Sequence, residues 1–474
     1  MILIYIAASL LISVFLYFNK ITLIRKSLVL LFLLLQIIFT AYEFINKGFT
    51  EYSFFKADAL AILMLITLTI ISIPALLHSY DYIYKEKDNR RARSIYYVSM
   101  VILVMSLSAA YLSSHIAVTW IFVELTTLSA SALIFHRRNP GSLEATWKYI
   151  FVSSISLVFV FIGILFLSLA LGDANQETLH YETLVSLAPN LNQFWLRLAF
   201  IFIFSGFTAK LGLVPMYTAG IDAKDKAPTP AAAMFSSVLM NVGFVGVFRF
   251  YEIMTHSQLH QWANHVIMIS AFISVFIATV YMLKVKNIKR MLAYSSIEHM
   301  GVIMLGLAAG GIGYYAAILH IILHSFAKSS LFFQIGHIYK TYKTKNTYFI
   351  GNYFKYNLSG AIFLLIAFIC VTGMPPSGLF ISEFYIFKAL FEANYLIVLI
   401  PLLILLTFIF WALGKNVFKI LFTPPVDFDE SSIEKVNPYE TLSQYILMGL
   451  VIYLGLFPPA FFNDLIHEAI KNLI

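Results

Sequence analysis

Uninterrupted apolar runs of about 20 residues recur from one end of this 474-residue chain to the other. A run of that length crosses the ~30 Å hydrocarbon core as a helix, whereas a barrel strand needs only about 10 residues of alternating polarity. The runs therefore predict an all-α polytopic membrane protein, a single integral membrane domain over residues 1–474. Only 12% of the residues are charged and 60% are hydrophobic. That is about half the charged share of a soluble domain, too little polar surface to coat a soluble globule.

Polar breaks divide the runs into about 14 transmembrane helices. These lie near 2–19, 27–45, 56–79, 95–113, 115–135, 147–171, 195–218, 230–251, 264–284, 291–310, 314–338, 358–391, 396–418 and 440–458. The run 358–391 is too long for one straight span. Basic residues alternate with the spans. The side reached after odd-numbered spans holds Lys20, Arg25, Lys26, Lys87, Arg93, Arg137, Lys226, Lys345 and Lys435 among others, against Lys47, Lys56 and Lys471 opposite. The positive-inside rule makes the richer side cytoplasmic and puts both termini outside the cytoplasm. The opening MILIYIAASLLISVFLYF has no basic residue ahead of its apolar stretch. It therefore reads as an uncleaved first span, not a secretory signal.

Cys370 is the single cysteine. A lone thiol excludes an intrachain disulfide, a CxxC pair and a cysteine-ligated cluster on this chain. No Walker loop, GxGxxG or HExxH is present. No cofactor is expected on this chain, and electron or nucleotide chemistry is expected on other chains. The net charge of +8 follows the loops between spans and gives no reason to expect nucleic acid.

Charges inside spans are informative, because one near the bilayer centre costs about 3 kcal/mol or more and commonly marks an ion or proton pathway. Glu124 sits mid-span, and Lys210 and Lys328 lie deep in theirs; Glu298, Asp58 and Glu383 lie nearer ends or breaks. Arg197, Arg249 and Lys148 lie near span ends, where snorkelling is expected. His320, His324 and Lys328 are spaced i, i+4, i+8, so they share one helix face over about 12 Å. Imidazoles titrate near neutrality and pass protons through water. A zinc site would need a third ligand, for which this helix offers only Lys328. The bland alternative for each group is a structural ion pair or a packed polar seam. His256, His260 and His265 are expected to be solvated.

Two spans are broken alike. KLGLVP puts Pro215 five residues after Lys210, and GMPPSG (373–378) puts Glu383 seven residues after Pro376. Proline frees backbone carbonyls, which a membrane tolerates only where protein or water satisfies them. Breaks in helices 7 and 12 imply two inverted five-helix repeats, spans 4–8 (residues 95–251) and 9–13 (residues 264–418).

WIFVELTTLSA, GFTAKLGLVPMY, DAKDKAPTPAAA, KRMLAYSSIEHMG, ILHIILHSFAKSSLFF and GMPPSGLFISEF follow one another in this order. Together they resemble the antiporter-like subunits shared by respiratory complex I, Mrp cation/proton antiporters and membrane-bound hydrogenases. VELTTLSA, EATWKY and SSIEHMG look most like component F of hydrogenase 4. The resemblance implies that Glu124, Lys210, His320, His324, Lys328 and Glu383 carry proton translocation. It gives accessory or hydrating roles to Asn241, Lys148, Asp222, Lys224, Glu298 and His299. It departs from the family at Asn241, where relatives often carry histidine or lysine, and at Tyr217 and Lys224, which replace histidines.

The implied function is a proton-translocating membrane subunit of a redox-driven complex of the hydrogenase 4 or formate hydrogenlyase type, in a bacterial inner membrane. Its implied partners are other membrane subunits and peripheral nickel–iron hydrogenase-type and iron–sulfur subunits. The alternatives are an Mrp-like cation/proton antiporter subunit, for which Thr126, Thr127, Ser129 and Ser131 could supply oxygen ligands, or the membrane subunit of an inorganic-carbon uptake complex.

Overall fold

The computed structural model describes residues 1–19, 21–85, 90–172, 179–426, 436 and 438–473; Lys20, Lys87 and Lys435 lie outside them. Helix follows helix throughout the described residues, and the one two-stranded ribbon pairs Thr50–Glu51 with Phe55–Lys56. Among the described residues eleven helices are long and apolar enough to cross a membrane. The bent pair Tyr439–Leu456 and Ala460–Leu473, turned by 72°, makes up to twelve. The chain is thus a multi-pass helical membrane protein with eleven or twelve candidate spans.

The difference from fourteen has local causes. Ile2–Phe18 and Leu358–Val371 are apolar but only 17 and 14 residues long. The run 358–391 splits into Leu358–Val371 and Gly378–Glu392. Between them Gly373 adopts φ +62°, and two prolines lack the amide a continuous helix needs. Ser377 caps the second piece by accepting the Phe380 amide at 3.1 Å.

The chain divides into two compact units. The first comprises Met1–Ala231, Val238–Val266 and Leu465–Ile474; the second comprises Ala232–Ser237 and Ile267–Asp464. Within each, several charged side chains near helix ends have partners. In the first unit Lys26 lies 3.8 Å from the Tyr80 ring centroid and Arg137 donates to the Tyr82 hydroxyl, while Lys56 pairs with Glu182 and Lys47 with Glu468. In the second unit the Ile288 amide donates to the Lys345 carbonyl at 3.0 Å, and Lys419 lies 4.5 Å from the Tyr348 ring centroid.

Snorkelling does not describe Arg249. It is buried and pairs with Asp58 at 2.6 Å, donates to the Tyr111 carbonyl at 3.0 Å and lies 5.5 Å from the Tyr181 ring centroid. Asp58 and the Tyr111 carbonyl give this guanidinium the partners without which a buried charge is strongly destabilising. Arg197 lies 5.8 Å from the Trp262 ring centroid. His260 is half-buried and shares a hydrogen bond of 3.1 Å with the Tyr251 hydroxyl, so it is not simply solvated.

Candidate functional site

Each unit holds a buried lysine ammonium on neutral hydroxyls near a carboxylate. In the first unit Lys210 occupies the last turn of Gln193–Leu211, which ends where Gly212 turns left-handed at φ +78°. Its ammonium donates to Thr127 Oγ1 at 2.8 Å and to the Tyr149 hydroxyl at 3.1 Å. Thr127 follows Glu124 by three residues on Ile116–Ile134, which brings both onto one face. Glu124 lies within electrostatic reach of Lys210, and its Oε2 is buried without a hydrogen-bond partner among the described residues.

Gly243 lets the Val238–Thr255 helix approach this lysine. A Cβ there would come within 2.8 Å of the Leu211 amide nitrogen and 2.9 Å of Lys210 Cβ. Asn241, two residues earlier, is completely buried. The Ile116–Ile134 helix that carries Glu124 and Thr127 starts at His115, whose Nδ1 accepts the Ala117 amide at 3.2 Å. Burial, and then the neighbouring His180, hold the His115 imidazole below its ordinary value.

The accessory residues of this unit divide. Lys148 is exposed and pairs with Glu144 at 2.5 Å and Asp222 at 3.6 Å. Lys224 is buried, 3.1 Å from Met240 Sδ.

In the second unit three helices converge. Ile312–Tyr342 supplies His320, His324 and Lys328; Ile288–Ala309 supplies Ser295, Glu298 and His299; and Gly378–Glu392 supplies Ser382 and Glu383. All eight are buried. Lys328 donates to Ser295 Oγ at 2.6 Å, within electrostatic reach of both Glu298 and Glu383. His299 Nδ1 lies 3.0 Å from His320 Nε2, and His320 Nδ1 lies 2.9 Å from Ser382 Oγ. The His299 and His324 rings stand 5.2 Å apart. Glu298 Oε2 is 3.6 Å from His299 Nε2, and Glu383 Oε1 is 3.9 Å from His299 Nδ1. In the break, Gly373 leaves the room that the Glu383 carboxylate occupies, because a Cβ there would collide with it.

Ser382 Oγ lies 3.0 Å from the Leu379 carbonyl as well as 2.9 Å from His320 Nδ1, and the tautomer of each ring sets which nitrogen donates at each contact. In either tautomer order the 3.0 Å contact between His299 Nδ1 and His320 Nε2 holds one proton between the two imidazoles, with the Glu298 carboxyl beside the other nitrogen of His299. His299, assigned only an accessory place from sequence, is the link between the two flanking helices.

His299, His320 and Glu383 also bring three potential metal-ligand atoms within 4.8 Å of one another. The third ligand that a single helix could not supply thus comes from its neighbours. Lys328, electrostatically coupled to Glu383, places a competing positive charge beside that position and opposes a divalent cation.

Sequence spacing found the titratable residues but missed most of their partners. Thr127 was visible one turn from Glu124. Tyr149, Ser295 and Ser382 stand on other helices from the lysine or histidine they bond, and periodicity within one helix does not reach them.

A multi-pass helical bundle with buried lysine, histidine and carboxylate groups, interrupted at two helices beside them, defines an antiporter-type membrane subunit. Residues 113–423 match the family described as "NADH:quinone oxidoreductase/Mrp antiporter, TM", and the chain belongs to that family. The hydrogenase-4 component F homolog of Methylacidiphilum infernorum (isolate V4) is 29% identical over 377 residues, 78% of each chain. Two solved structures share the fold. One is a chain of the membrane-bound sulfane sulfur reductase, an archaeal respiratory membrane complex, with TM-score 0.88 and 21% identity over 100% of this chain and 96% of that one. The other, from the Mrp complex of Dietzia sp. DQ12-45-1b, has TM-score 0.84 and 15% identity over 98% and 95%.

Proposed function

We propose that this chain is a proton-translocating subunit of a redox-driven membrane complex of the hydrogenase 4 type, with each unit working as a charge switch. The observation that carries this reading is the pair of buried ammonium groups, Lys210 on Thr127 and Tyr149 and Lys328 on Ser295, each within electrostatic reach of carboxylates. A desolvated ammonium is stable only while an opposite charge offsets its lost hydration. Neutralising or withdrawing Glu124 removes that offset and drives the proton off Lys210; Glu298 and Glu383 act on Lys328 in the same way. In the second unit the released charge has a route through His299 and His320, with Glu383 as the terminal group.

The remaining assignments belong to the same proposal. The chain spans the bacterial inner membrane about fourteen times when the shorter helices are included, and both termini lie outside the cytoplasm. Residues 95–251 and 264–418 form inverted repeats, a division supported by the passage between the compact units near residue 266. Neighbouring membrane subunits and a peripheral nickel–iron and iron–sulfur module supply the redox energy, and this chain carries no redox cofactor. The relative's printed name and the strings VELTTLSA, EATWKY and SSIEHMG support the hydrogenase 4 assignment.

The test is redox-driven acidification of inverted membrane vesicles holding the whole complex. Lys210→Met should abolish acidification while the complex assembles and its redox activity remains detectable. Wild-type acidification in that variant would remove Lys210 from the pathway.

A further inference from the structure

We propose that the first unit binds an anionic phospholipid in a cavity of about 320 Å³ at the ends of three helices. The Thr22–Ile45 helix contributes Arg25 and Lys26 from its first turn, and the helix beginning at Arg90 contributes Arg93 from its own. Tyr80 comes from the last turns of Ala59–Lys85. Three cations therefore line one end of the cavity, and none of the described residues lining it is acidic.

The wall below them is apolar. Val29 and Leu30 follow Arg25 and Lys26 by four residues, so they stand one turn, about 5 Å, deeper along the same face. Leu76 and Leu77 precede Tyr80 by one turn on the facing helix. Leu30 and Leu77 are 52% and 53% exposed, so the apolar wall opens outward, where a spanning helix meets lipid. A cationic rim above an open hydrocarbon-lined wall matches a phosphate with acyl chains beneath it. A free phosphate would have no use for the wall, and a zwitterionic headgroup would bring a positive charge to a positive rim.

The cations are already oriented. Arg25 is buried and donates to Ser94 Oγ at 3.2 Å and to the Asn19 carbonyl at 3.3 Å. Lys26 is exposed and rests over the Tyr80 ring at 3.8 Å. This rim stands at the ends that carry the basic residues, and basic pockets between spanning helices on the cytoplasmic side suit anionic headgroups.

The experiment titrates the full chain, purified in mild detergent and delipidated, with phosphatidylglycerol and with phosphatidylcholine, counting bound lipid by native mass spectrometry. Phosphatidylglycerol should bind saturably and at least about tenfold more tightly than phosphatidylcholine. Lys26→Gln should weaken it about fivefold and Lys26→Glu about 25-fold, since each basic residue near an anionic headgroup is worth about that factor. Because Lys26 is exposed, both variants should unfold at the wild-type temperature. Lys284→Gln, an exposed lysine of the second unit, should bind as wild type does, and Leu77→Ser should weaken lipid binding without touching the cations. Equal retention of the two lipids, undiminished binding by Lys26→Glu, or displacement by inorganic phosphate at equal concentration would each overturn the proposal.

Discussion

His299 Nδ1 lies 3.0 Å from His320 Nε2, joining two buried helices through a single shared proton. Neither ring reaches solvent. Ser382 Oγ lies 2.9 Å from the far nitrogen of His320 and Glu298 Oε2 lies 3.6 Å from His299 Nε2, so the proposed relay would run through the pair between these two groups.

On that proposal His299, in contact with His320 and beside both Glu298 and Glu383, should be the most sensitive residue of the second unit. His299→Gln keeps a hydrogen-bonding group but cannot pass a proton from one nitrogen to the other. Vesicle acidification should fall about 100-fold, within the range for a lost acid–base group, while the complex still assembles. His324→Gln should cost less than His299→Gln, because His324 meets His299 through its ring. Equal effects of the two would show that the relay does not run through the 3.0 Å contact.

Gly243 supports Lys210 by having no side chain. Gly243→Ala would force a Cβ to within 2.8 Å of the Leu211 amide. Overpacking of this kind costs about 1–3 kcal/mol and would push Lys210 off its Thr127 and Tyr149 partners. Thermal unfolding of the purified chain should show the loss, and acidification should drop with it.

The start of the Glu124 helix should depend on pH. His115 is held below its ordinary imidazole value and caps the helix as an acceptor. Folding therefore favours its neutral form. This contribution is fully present above the unfolded value of about 6.5 and is lost as pH falls through the lower folded value. The unfolding temperature should decline between pH 7.5 and pH 5, and His115→Asn, which keeps a capping oxygen but cannot titrate, should decline less. Identical slopes would mean that other groups dominate in this window.

Orientation is open to direct labelling. Tyr348 and Asn190 are exposed and fall on opposite sides of the charge alternation. With Cys370 replaced by serine, Tyr348→Cys should react with an impermeant maleimide only from the cytoplasm and Asn190→Cys only from outside. Labelling of both from one side would reverse the alternation for one unit.

The membrane class, the helical fold and the titratable residues were legible in the sequence because each is written within one helix. Apolar length reports a span, proline with glycine reports a break, and a charge among apolar residues stands out wherever its partner lies. Lys210, Lys328, Glu124 and Glu383 needed no neighbour to be noticed. The span count was less legible, because GMPPSG and the chain after Leu456 turn apolar sequence into shorter or bent helices. What only the tertiary structure decided is which polar groups meet. Arg249 found Asp58 across 191 residues, Lys210 found Thr127 across 83, and His320 found Ser382 across 62. Hydrophobic burial in the bilayer sets each helix's place along the membrane normal but not its rotation or its neighbours. Those follow from close packing at small residues and from the need of every desolvated polar group for a partner.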